Sequence, residues 1–103
     1  MIVLDDEHYR WTLLEENGQL FLDAMCSHSA VDYNVLLALN EEEILLFKKK
    51  GRSYLDSLAS SIHHSAPGIR GSKSPYKLRS LVMTPERARA NDAIKRWDAG
   101  ERT

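Results

Sequence analysis

The sequence predicts an α+β domain, an antiparallel sheet of three to four strands packed by a long central helix and a short C-terminal helix. Three observations carry that prediction. Asn17-Gly18 lies between two apolar-alternating runs, residues 31–39 alternate with period two, and apolar side chains recur at helical spacing from Ile44 to Ile62. A chain of 103 residues supports one hydrophobic core, so 1–103 is read as a single small domain.

Asn-Gly is the strongest short-range hairpin signal, because a type I′ turn needs positive φ at both central residues. Pairing outward from Glu16 opposite Gln19 sets Leu13 against Leu22, Trp11 against Ala24 and Tyr9 against Cys26, all on one face. The other face carries Leu14 against Phe21, Thr12 against Asp23 and Arg10 against Met25, a mixed set. After a polar turn at Ser27-His28-Ser29, the alternation from Val31 to Leu39 predicts a third strand.

Asn40 with Glu43 three residues on forms a capping box, and Glu41 and Glu42 complement the positive end of the helix dipole. Ile44, Phe47, Gly51, Leu55, Leu58 and Ile62 hold one helical phase. That phase favours a single helix from about Glu41 to His63, with Gly51 on the buried stripe. Lys48-Lys49-Lys50-Gly51 also has the form of a helix stop, basic residues followed by a C′ glycine. Residues 65–75, rich in Pro, Gly and Ser, read as a flexible basic loop, and Tyr76 to Met83 suits a fourth strand. Thr84 as N-cap and Pro85 at the first helical position open the last helix, whose apolar face is Ala90, Ala93, Ile94 and Trp97. Residues 100–103 are expected to fray. The predicted core is Trp11, Leu13, Leu22, Val35, Leu37, Phe47, Leu55, Leu58 and Ile62.

The net charge of −1 hides two opposed halves. Residues 1–45 hold ten carboxylates against Arg10 alone, a net −9, and residues 46–103 hold thirteen bases against five acids, a net +8. Such a distribution governs association more than chemistry. Neither a basic start followed by an apolar stretch nor an apolar run near the roughly 18 residues of a membrane span is present, so the default expectation is cytoplasmic. The lone Cys26 cannot close an intramolecular disulfide and reads as a buried thiol.

Catalytic patterns are weak. Glu41-Glu42-Glu43 has a sufficient role at a helix N-terminus, and Asp5-Asp6-Glu7 reads as a solvated connector. Cys26, His28, His63 and His64 offer zinc-binding atoms without the spacing of a zinc motif. Gly71-Ser72-Lys73-Ser74 echoes the end of a phosphate-binding loop, but its upstream glycine is displaced. No enzyme activity, metal or cofactor is therefore expected.

The stretch 68–79 is the most suggestive chemically. Its glycines and serines can approach phosphate oxygens, Arg70, Lys73, Lys77 and Arg79 supply charge, and Tyr76 can stack on a base. Lys48 to Arg52 is a second basic cluster, read chiefly as a solvated helix face. Two functional expectations follow. The leading one is a non-enzymatic protein-interaction or regulatory module that self-associates or docks a protein through Leu14, Phe21, Met25 and Leu36 on the second sheet face. The alternative is RNA or DNA binding through 68–79 and Lys48 to Arg52. Neither a membrane nor a small-molecule substrate is indicated.

Overall fold

The structure, a computed structural model, describes residues 1–28, 31–69 and 71–100. The Asn17-Gly18 turn forms with positive φ at both residues, 52° and 82°. It joins β2 (Trp11–Glu16) to β3 (Gln19–His28) in the expected register, with Leu13 opposite Leu22 and Trp11 opposite Ala24. The expected Tyr9–Cys26 pair does not form. The chain reverses at His8–Arg10, Tyr9 adopts φ 64°, and Cys26 pairs with Tyr33 of β4 (Val31–Ala38) instead.

The sheet has four antiparallel strands in the order β1-β2-β3-β4. Its fourth member is N-terminal: β1 (Ile2–Glu7) pairs with β2, so Asp5-Asp6-Glu7 is strand and not the expected connector. The carboxylates are tolerated there because Arg52 bonds both Asp5 and Glu7 while its guanidinium lies 5.0 Å above the Trp11 ring. Tyr76 to Met83, the expected fourth strand, instead makes turns and bends. It meets β4 through two bonds to backbone carbonyls: the Leu81 N–H donates to Leu36 O at 2.9 Å, and Arg79 donates to Ala38 O at 3.0 Å.

Asn40 and Glu43 complete the capping box, each backbone N–H donating to the other's side chain at 2.9 Å. The helix they open is not the single long one expected. Gly51, at φ 67° and ψ −144°, ends α1 (Glu41–Lys50), and α2 (Arg52–Ser65) starts at once. Only glycine enters that backbone region cheaply. Nor does Gly51 allow close approach to the sheet, since a Cβ built there meets nothing within 4 Å. An apolar phase that runs through residue 51 is compatible with a corner, because each helix needs only to present its own stripe.

Leu55, Leu58, Ala59 and Ile62 of α2 close over Trp11, Leu13, Leu22, Val35 and Leu37, with Phe47 packed at the margin, so the predicted core is the observed one. On the other face α3 (Pro85–Asp98), opened by Thr84 as N-cap, lays Ala90 and Ala93 over Val3, Leu14, Phe21 and Leu36. The sheet is thus covered on both sides.

Leu58 is 5% exposed, and Leu58→Ala is expected to cost about 2–5 kcal/mol through lost burial and the cavity left behind. Gly51→Ala should cost about 1–3 kcal/mol by forcing a side chain into a glycine-only conformation. Urea denaturation of both variants measures these losses. An unchanged midpoint for Gly51→Ala would mean that α1 and α2 can straighten into one helix.

Candidate functional site

Four arginines of the basic half bind carboxylates of the acidic half. Arg52 takes Asp5 and Glu7, Arg79 takes Glu43, Arg87 takes Asp23 and Arg89 takes Glu16. Asp23 is 3% exposed on β3, where Arg87 grips both its oxygens at 2.8 and 3.1 Å and Asn34 donates a third bond at 3.1 Å. Glu43 is held by Arg79 at 2.6 and 3.0 Å. Burial pushes the Glu43 carboxyl up, but the Arg79 hydrogen bonds, the Asn40 N–H and the Arg79 charge outweigh it and hold Glu43 below the usual carboxylate range.

That pairing changes the reading of the 68–79 stretch. Arg79, expected on a phosphate, is occupied by Glu43 and the Ala38 carbonyl. Tyr76, expected to stack on a base, is half-buried against the main core. The serines bond one another instead of presenting donors outward. The Ser65 and Ser74 hydroxyls are 2.6 Å apart, the Ser72 hydroxyl donates to Ser65 O at 3.1 Å, and the Ser74 N–H donates to the Ser72 hydroxyl at 3.1 Å. Gly68 is needed for close packing: a Cβ there would lie 2.5 Å from the Tyr33 ring. Lys73 and Lys77 stay exposed, with no ion pair among the described residues, and Arg70 lies outside the described residues. Lys48, Lys49 and Lys50 are also exposed. None of the three makes an ion pair among the described residues.

The residues expected at a protein interface are mostly buried. Leu14, Phe21 and Leu36 are buried beneath α3, so they form a second core and present no surface; Met25 alone of the four is exposed, at 39%. Tyr9 and Leu45 are exposed elsewhere, and three further exposed apolar side chains are grouped. Leu78 is 99% exposed, Val82 64% and Met83 95%, all on the connection between α2 and α3. Reading 76–83 as a fourth strand did not single them out. The informative signal was Lys77-Leu78-Arg79, an apolar residue between two charges.

A second feature brings together residues from two elements, β3 and α2. His28 at the end of β3 stacks on His63 of α2 with ring centroids 4.8 Å apart and 16° between planes, and His64 meets His63 edge-on at 5.2 Å. The Ser27 N–H donates to His63 Nδ1 at 3.3 Å, which requires that nitrogen to be unprotonated. Burial, then the neighbouring His28 and His64, hold His63 below the usual histidine range. Cys26, fully buried nearby in the sheet, has its thiol pushed up to about 11, first by burial and then by Asp23. It is an inert core group. Among the described residues no three of His, Cys, Asp and Glu are grouped to hold a metal ion.

The chain matches no protein-family model, no curated protein and no solved structure.

Replacing Arg87 by Met leaves the buried Asp23 carboxylate without its counter-ion and should cost about 3–5 kcal/mol in chemical denaturation. His63 supplies a pH dependence. Its folded-state value lies below its ordinary value of 6.5, so the unfolded chain takes up the proton first. The stability it contributes is complete above 6.5 and declines as pH falls below that toward the folded-state value. Thermal melts across this window should show the decline, and His63→Gln should flatten it.

Proposed function

We propose that the protein is a non-enzymatic protein-interaction module that docks its partner on residues 78–83. The observation that supports this reading is the way the segment is held. Arg79 is anchored to Glu43 and Ala38 O, and Leu81 is anchored to Leu36 O and packed on the second core. Leu78, Val82 and Met83, on either side of those anchors, project their apolar surface into solvent. Burying such a side chain in a partner's pocket stabilises a complex by about 1.5–3 kcal/mol each, and positioning the backbone beforehand lowers the ordering cost of binding.

A second reading, RNA or DNA binding, is favoured by the exposed Lys73 and Lys77 beside this segment and by Lys48 to Lys50 on α1. It has lost Arg79 and Tyr76 as ligands, and near-neutral net charge gives it no long-range field.

The two readings separate in one capture experiment from the native cell, with and without nuclease, using the full chain and two double variants. Leu78→Ser with Met83→Ser should abolish capture in a nuclease-insensitive manner while leaving the circular dichroism spectrum unchanged. If capture instead vanishes on nuclease treatment and in Lys73→Ala with Lys77→Ala, the nucleic-acid reading replaces this one. Capture unaffected by either pair would sink both.

A further inference from the structure

A cavity of ≈ 260 Å³ lies between the turn joining β1 to β2, the C-terminal half of β3 and the C-terminal half of α2. Tyr9 and Arg10 enter from the turn, Met25 from β3, and Ser60, His63 and His64 from α2. No carboxylate lines it. Its lining comes equally from the two half-chains, and Arg10, the single base of the acidic half, also borders a neighbouring depression lined by Asp6, Glu7, Asp23 and Asp98.

Arg10 is also a positioned cation with its side chain unspent. Its backbone is fixed at both ends, the N–H donating to Glu7 O and the carbonyl accepting from the Met25 N–H, each at 2.9 Å. Its guanidinium makes no ion pair among the described residues, whereas Arg52, Arg79, Arg87 and Arg89 each have one. The histidines add donors. His63 Nδ1 accepts from the Ser27 N–H, so the neutral ring carries its proton on Nε2. His64 Nδ1 lies 2.8 Å from Ser60 O, a group that only accepts, so Nδ1 is protonated and Nε2 is open to a second proton. Guanidinium, imidazole and hydroxyl donors around one space suit an oxyanion, and Tyr9 and Met25 provide an apolar wall.

We propose that this cavity binds the oxyanion head of a small organic sulfate or phosphate monoester, with Arg10 as the principal contact and with proton uptake by His63 coupled to binding. This inference is independent of docking at 78–83. The coupling follows from what faces His63. His28 on β3, His64 on α2 and Arg10 across the cavity disfavour a proton on the ring. Asp32 on β4, which accepts from the Ser27 hydroxyl, and the negative end of the α2 dipole favour one, while Tyr33 meets His28 at a tilt, with ring centroids 5.8 Å apart. In the empty site burial and these histidine neighbours hold the His63 imidazole toward its neutral form. An anion seated on Arg10 offsets the repulsion among the cations and makes protonation favourable, so binding tightens as pH falls.

The test uses the full chain, inorganic sulfate and phenyl sulfate at constant ionic strength, because neither probe titrates between pH 5.5 and 8. Imidazole and arginine side-chain resonances report the site by NMR. Sulfate should raise the His63 pKa, affinity should be higher at pH 6 than at pH 8, and phenyl sulfate should bind more tightly than sulfate by using the Tyr9 and Met25 wall. Arg10→Gln should weaken phenyl sulfate binding roughly tenfold with the amide spectrum otherwise preserved, since Arg10 contributes to the fold only through its backbone. A His63 titration unmoved by saturating probe, equal affinity of the two probes, or full binding by Arg10→Gln would each overturn the proposal.

Discussion

Leu13, Leu22 and Leu37 stand on one face of the sheet and Leu14, Phe21 and Leu36 on the other, and a sheet that is apolar on both sides has to be covered twice. One helical layer, α1 with α2, removes the first face from water, and α3 removes the second. The chain must therefore cross from one side of the sheet to the other after α2. That crossing passes the outer edge of β4, where Leu81 bonds the Leu36 carbonyl and Arg79 the Ala38 carbonyl. The same passage that carries the chain to α3 thus occupies backbone groups that would otherwise template aggregation. At the opposite edge, β1 is blunted by a register shift at Leu4 and by Asp5, Asp6 and Glu7.

The opposed charges of the two half-chains are spent largely on holding this arrangement. Each interhalf ion pair ties a later element to an earlier one: α2 to β1, the crossing segment to α1, and α3 to β2 and β3. Exposed pairs such as Arg52 with Asp5 add little stability, because water competes for both partners. Asp23 with Arg87 is different. A carboxylate 3% exposed in the middle of a sheet would be costly alone, and three hydrogen bonds compensate it. It also fixes where α3 lies along the face, which apolar contacts between alanines and leucines leave loosely specified.

Function follows from what the charges leave over. Once Arg79 is committed to Glu43, the stretch that looked most basic becomes a strut, and its conspicuous feature is the apolar surface of Leu78, Val82 and Met83. At the far end of α2, His28 and His63 stack with no ion pair to a carboxylate among the described residues, and Arg10, likewise without one, borders the adjoining cavity. The two features lie on different elements and involve no residue in common.

By itself the sequence determined what depends on neighbours a few residues apart. The Asn17-Gly18 hairpin and its register, the Asn40–Glu43 capping box, the Thr84-Pro85 helix start and the α2 stripe of Leu55, Leu58 and Ile62 are all local, because turn dihedrals, caps and side-chain periodicity are set within about one or two turns of chain. Only the tertiary structure decided the rest. Ile2 to Glu7 became a strand by pairing with β2, with Arg52, more than forty positions away, bonding Asp5 and Glu7; residues 76–83 did not, and Arg79 and Leu81 instead bond α1 and β4. The break at Gly51 left the apolar phase intact and so left no periodic trace, although the helix-stop pattern was there. Which carboxylate each arginine would take, and therefore which basic residues remained for a ligand, is a property of distances in space that residue spacing along the chain does not encode.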